Sequence, residues 1–119
     1  MDFDQNCIFC KIAQKKAKAD IIYEDNNVVA FKDINPVAPV HVLLIPKKHI
    51  VCINDLDGEN IHYIQDIFKA IQVVAKKLNI DASGYRVIAN TGDDGGQAVK
   101  HLHFHLIGGK KLSTKITAD

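Results

Sequence analysis

His101-Leu102-His103-Phe104-His105-Leu106-Ile107 alternates imidazoles with apolar side chains. A period of two is that of a strand, whose successive side chains point to opposite faces. Leu102, Phe104 and Leu106 then turn to a core. His101, His103 and His105 turn together to the other face, each roughly 6.8 Å from the next, twice the ~3.4 Å rise per residue. One histidine there would be an ordinary polar filler. Three are not, because protonation would set like charges side by side, and threonine or lysine would fill such a face better. Two chemistries want such a row. Imidazoles at alternate positions can ligate a metal. Alternatively, one neutral imidazole can act as a nucleophile while its neighbours donate hydrogen bonds to developing negative charge.

The residues just before the row favour the second chemistry. Asn90-Thr91-Gly92-Asp93-Asp94-Gly95-Gly96-Gln97 offers glycines whose N–H groups can approach an anion, plus the side-chain amides of Asn90 and Gln97. Around this loop, residues 85–90 read as a fourth strand and 101–107 as a fifth, stopped by Gly108-Gly109. Upstream, 21–23 and 28–31 form a hairpin about Glu24-Asp25-Asn26-Asn27, and 40–45 is a third strand that Pro46 ends. Ile61, Ile64, Ile67, Phe68, Ile71, Val74, Ala75 and Leu78 recur at steps of three and four, so a long helix is expected, N-capped by Asp57 and ended by Asn79. Residues 7–15 read as a short helix with Lys15 and Lys16 near its C-terminus. The order predicts an α+β fold, a five-stranded antiparallel sheet with one long and one short helix. A doubly wound parallel sheet would need more long helices.

The 119 residues fit one domain, 1–119, without repeats or linkers. Hydrophobic residues at 47% and charged residues at 24% exclude a disordered or low-complexity chain. A net charge of +1 argues against nucleic-acid or membrane partners held by electrostatics. No apolar run approaches the ~20 residues of a membrane span. Met1-Asp2-Phe3-Asp4 is acidic, so no signal peptide is expected and a cytoplasmic location follows by default. Cys7, Cys10 and Cys52 are an odd set that suggests no disulfide framework. Cys52 reads as core and His62 as surface.

The histidine row resembles the histidine-triad motif, His-φ-His-φ-His-φ-φ with φ apolar. Cys7-Ile8-Phe9-Cys10-Lys11-Ile12, Phe31-Lys32-Asp33-Ile34-Asn35-Pro36, His41-Val42-Leu43-Leu44-Ile45-Pro46-Lys47-Lys48-His49 and Asp94-Gly95-Gly96-Gln97 extend the likeness over nearly the whole chain. It is similar to the Hint branch, histidine-triad purine-nucleotide hydrolases that split phosphoramidates and related nucleoside phosphate compounds. The uridylyltransferase branch carries glutamine where this chain has His105, which favours hydrolysis. The resemblance implies that His103 attacks the α-phosphorus to give a nucleotidyl-histidine, which water then resolves. It implies phosphate contacts from His105, His41, Asn90, the backbone at Gly96, and Gln97. Asp33 would accept from both ribose hydroxyls, and Ile8, Phe9, Ile12, Phe31 and Ile34 would form the base slot. On apolarity alone those five are core residues. Ala98 is the tenth position the resemblance assigns to the nucleotide, but it departs from the family, standing where many Hint proteins have a serine near the scissile bond, and the tail after Gly109 lacks the aromatic residue of many relatives. The resemblance further implies a homodimer in which the fourth strands pair into one sheet.

Cys7-x-x-Cys10 is a common zinc half-site. Bacterial-type relatives imply His49 and His101 as the other two ligands, a closed structural zinc distinct from the chemistry. The reading of the cysteines alone is that of two small apolar side chains on a helix. Two alternatives to the hydrolase stand beside it. One is a zinc-dependent hydrolase that uses the histidine row as ligands. The other is a purine-nucleotide-binding regulatory module with little turnover.

Overall fold

The computed structural model of the chain describes residues 3–116; Met1 and Asp2 of the acidic start, and residues 117–119 of the tail, lie outside the described residues. The elements run α1 (Ile8–Ala13), β1 (Ile21–Glu24), β2 (Val28–Lys32), β3 (Val40–Pro46), a 3₁₀ turn (Ile53–Asp55), α2 (His62–Lys77), β4 (Tyr85–Ile88) and β5 (Phe104–Gly108). The strands form one antiparallel sheet in the order β1-β2-β3-β5-β4. The α+β architecture expected from the sequence is the one observed. No helix among the described residues is long and apolar enough to cross a membrane.

The two faces of the sheet are covered unequally. Val28, Ala30, Val42, Leu44, Leu102, Phe104 and Leu106 face α2 and pack on its Ile67, Ala70, Ile71 and Val74. The alternate residues Val29, Phe31, Leu43 and Ile45 face the other way, onto Phe9, Cys10, Ile12 and Ala13 of α1. β2 and β3 are thus apolar on both faces, as strands buried from two sides must be. The six residues of α1 are too few to hold a helix alone. Packing holds this one, with the Cys7 Sγ capping its first turn at 3.3 Å from Cys10 N. So short a helix covers only part of its face and leaves a cleft beside it.

Several boundaries differ from expectation. β5 begins at Phe104, so residues 101–103 precede the ladder; β4 ends at Ile88, before the loop. Asp57 caps a separate turn ahead of α2, its Oδ1 accepting from the N–H groups of Glu59 and Asn60 at 2.9 and 3.0 Å. Ile61 and Phe68, expected on the buried stripe, are each 51% exposed, and Tyr63 is buried instead. Phe68 sits at the stripe's margin, its ring edge-on to Phe104. Asn79 does end the helix. It adopts φ 60°, and the N–H groups of Asn79 and Ile80 bond back to Lys76 O and Ala75 O, the paired bonds of a Schellman cap. Cys52 is not core: it is half-buried beside the 3₁₀ turn, 3.4 Å from Asp55 Oδ2, with Val51 and Ile53 exposed on either side. His62 is exposed, as read.

Candidate active site

Alternation sends the three imidazoles to the α1 side, while Leu102, Phe104 and Leu106 enter the α2 core. Once there, they do not converge on one point. Each ring has a different partner, and the partners fix the tautomers.

His103 is buried, its ring edge-on to Phe9 at 5.2 Å. Its Nδ1 lies 2.7 Å from the carbonyl oxygen of His101. A carbonyl only accepts, so Nδ1 carries the proton and Nε2 keeps a bare lone pair. His101 can offer that carbonyl because it lies ahead of β5, outside the sheet ladder.

His105 and His41 form a second unit. The Val37 N–H donates to His41 Nδ1 at 3.2 Å, which puts the His41 proton on Nε2. That proton is donated to His105 Nδ1 at 2.9 Å, with Asp33 Oδ2 3.4 Å away. The His105 proton is thereby driven to Nε2. Burial, with His103 and His41 nearby, holds His105 neutral down to about pH 4. Burial also lowers the His41 pKa, against the opposing pull of Asp33.

His101 is fully buried and belongs to a third group. Its Nε2–H donates to Pro46 O at 2.8 Å, leaving Nδ1 bare. That Nδ1 lies 3.3 Å from Cys7 Sγ, 3.5 Å from Cys10 Sγ and 3.3 Å from His49 Nδ1, and His49 Nδ1 is 3.3 Å from Cys10 Sγ. The four ligand atoms lie within 4.8 Å of one another, close enough to bind one metal ion. A zinc tetrahedron with bonds of about 2.3 Å to sulfur and 2.0–2.1 Å to nitrogen has edges of roughly 3.3–3.8 Å, so the donor set fits that ion. Burial raises the Cys10 thiol pKa to about 11, so without a cation it stays protonated. The three histidines therefore divide among three environments, and His101 alone of them joins the Cys7, Cys10 and His49 group.

His103 and His105 line a cleft of about 510 Å³, within the range of small-ligand sites. Seven of the ten positions assigned to a nucleotide line it as well: Ile8, Phe9, Ile12, Phe31, Asp33, Ile34 and Ala98. Ile34 is 92% exposed and Ile8 47%, so these two are rim rather than core; Phe9, Ile12 and Phe31 are buried. Lys18, Ala19, Leu43 and Val99 line it too and were not singled out in the sequence. Leu43 could have been found, since it pairs with Phe31 across β2 and β3.

Asn90, Gly96 and Gln97 do not line the cleft. The Gln97 Nε2 donates to Val51 O at 2.6 Å and Val99 O at 3.0 Å, and its Oε1 accepts from Gly92 N at 3.0 Å. Asn90 Nδ2 donates to Gly95 O at 2.7 Å. Both amides therefore shape the loop. Gly95 belongs to the same tight fold, where a Cβ would stand 2.3 Å from Thr91 O.

Comparison with known proteins agrees with this geometry. The HIT domain family matches residues 14–112. A purine nucleoside phosphoramidase of Escherichia coli K12 is 40% identical over 91% of both chains. A HIT family hydrolase from Clostridium thermocellum superposes with a TM-score of 0.93 at 48% identity, covering 96% of this chain and 99% of that one. A histidine triad protein from Clostridium difficile gives 0.92 at 46% identity, over 94% and 97%. The chain belongs to the HIT domain family.

Proposed function

We propose that the protein hydrolyses purine nucleoside phosphoramidates or related adenylates, such as aminoacyl-AMP, through a nucleotidyl-histidine. The observation that carries this reading is the 2.7 Å bond from His103 Nδ1–H to His101 O, which leaves Nε2 as a free nucleophile in the cleft wall. Nε2 attacks the α-phosphorus; a P–N bond to His103 forms as the bond to the leaving group breaks, an amine leaving with a proton taken from solvent water and an aminoacyl group leaving as its carboxylate. Water then attacks phosphorus, the P–Nε2 bond breaks, and the nucleoside monophosphate leaves. Two displacements replace one difficult attack by water.

The other groups take supporting roles. His105 Nε2–H donates to a phosphate oxygen, and His41 holds that tautomer. Asp33 accepts from the ribose hydroxyls, since one of its oxygens is already engaged by Asn35 N and the carboxylate has lone pairs to spare. The base enters between Phe9, Ile12 and Phe31, and covers Ile8 and Ile34. Backbone N–H groups near Gly96 serve the phosphate, with Asn90 and Gln97 holding their loop. Zinc on Cys7, Cys10, His49 and His101 would have four protein ligands and no open position, so it would fasten α1 to the His101 ring and supply no chemistry to the cleft.

β4 is a sheet edge with Tyr85 and Val87 more than a third exposed, which supports pairing with a second copy. A monomer at micromolar concentration in sedimentation would reject that assembly.

The central test is brief mixing with adenosine 5′-phosphoramidate, acid-free quenching and peptide mapping by mass spectrometry. An AMP adduct on His103, formed equally with EDTA present, is expected. Unimpaired turnover by His103→Asn would refute the mechanism. Asp33, His41 and His105 also lie close enough to hold a metal; immediate loss of turnover on chelation would favour a zinc-dependent hydrolase built there. Tight AMP binding with no turnover would favour a regulatory module.

A further inference from the structure

The cleft has two chemically different ends. His103 and His105 stand at one, and Lys18 and Ala19, in the link between α1 and β1, stand at the other. Strand order sets their separation. From β5 through β3 and β2 to β1 is three strand steps, roughly 14 Å at about 4.8 Å per step. His105, Leu43, Phe31 and Ile21 are in register across those strands, and Lys18 precedes Ile21 by three residues. A nucleotide with its phosphate at the histidines and its ribose at Asp33 would therefore carry its base toward Lys18, with the O6/N7 edge within reach of the ammonium.

The cations at that end differ in what they are free to do. Lys32 Nζ lies 3.5 Å from Asp20 Oδ2. Among the described residues Lys18 has neither a hydrogen bond nor an ion pair. Its ammonium is a donor-only group on a slot whose apolar wall is Phe9, Ile12, Phe31 and Leu43. Guanine presents two adjacent acceptors, O6 and N7, whereas adenine presents N7 beside an amino donor. Hypoxanthine shares the O6 and N7 pair. A donor-only cation is matched by the first pattern and opposed by the amino group of the second.

We infer that Lys18 is a specificity-determining residue that makes the protein prefer 6-oxopurine nucleotides to adenine nucleotides. The inference rests on the nucleotide reading proposed above and adds the base class to it.

Isothermal titration of the full chain with GMP, IMP and AMP tests it, using wild type, Lys18→Met and Lys18→Arg. In wild type GMP and IMP should bind about fivefold or more tighter than AMP, the low end for a cation on O6 and N7. Lys18→Met should erase the preference by weakening GMP and IMP without weakening AMP, and Lys18→Arg should keep it. Equal wild-type affinities, or an unchanged ratio in Lys18→Met, would overturn the assignment and leave nucleotide binding standing. Tight GMP with weak IMP would also overturn it, because the 2-amino group would then be what is read. If no purine monophosphate bound wild type, the nucleotide reading itself would fall, and this assignment with it.

Discussion

Replacing Phe9 by alanine should damage stability and the site together. The ring is 7% exposed and meets Phe31, His101 and His103 edge-on, with centroids 5.5, 5.9 and 5.2 Å away. Buried Phe→Ala changes cost about 3–5 kcal/mol. The cleft opens beside this ring, so water can enter the space it leaves, and the low end, about 3 kcal/mol, is expected. In a domain of this size that lowers Tm by roughly 10–15 °C. Urea unfolding followed by circular dichroism measures the stability loss. The same variant loses the wall that packs against His103, so kcat for a phosphoramidate should fall as well as KM rise. Phe9→Leu, which keeps most of the volume, should recover over half of the stability. A loss under about 1 kcal/mol, or intact kcat at temperatures where Phe9→Ala is folded, would refute the assignment of α1 as both clamp and wall.

Three further outcomes follow from the geometry. Asp33→Asn should lower kcat/KM for a ribonucleotide about 10- to 100-fold, the worth of charge-assisted hydrogen bonds, and should matter far less for a 2′-deoxy substrate; steady-state kinetics on both substrates checks this. His105 and His41 resist protonation in the folded chain, whereas unfolded they take up a proton near pH 6.5. Their contribution to stability is therefore complete above pH 6.5 and is lost as pH falls toward 4, so Tm should drop across that window and drop less in His105→Gln. Chelation, or Cys7→Ala with Cys10→Ala, should lower Tm by more, proportionately, than it lowers kcat; elemental analysis finding no metal in fresh protein would instead return the cysteines to plain packing.

The sequence displayed the sheet well because each strand announces itself by period two or by an apolar run between breakers. The three-histidine face was legible for the same reason. What stayed hidden depends on contacts between distant segments. That Gln97 spends its amide on Val51 and Val99 cannot be read from a glycine-rich loop, where it resembles a ready anion ligand. The helix stripe misplaced Ile61 and Phe68 because periodicity gives a face but not how wide a sheet stands opposite it. Lys18 escaped because a lysine in a polar link has no local signal; only strand order brings it to the cleft.

The same kind of hidden contact explains why His101 and His103 leave the ladder. A residue within an antiparallel pair gives its carbonyl either to the neighbouring strand or to the open side, away from side chains of its own strand. By starting β5 at Phe104, the chain frees the His101 carbonyl to turn back onto the His103 ring two residues on. A segment outside the ladder needs another anchor, and it has two. Leu102 N–H bonds to Ile50 O at 2.6 Å, and the His101 ring is held between Pro46 O and the Cys7, Cys10 and His49 group. The backbone of His101 thus sets the tautomer of His103, the nucleophile we propose, while the His101 side chain is fixed in the adjoining cluster. In the proposed mechanism the thiols act only by where they keep the His101 carbonyl, which is why their loss should register first in stability.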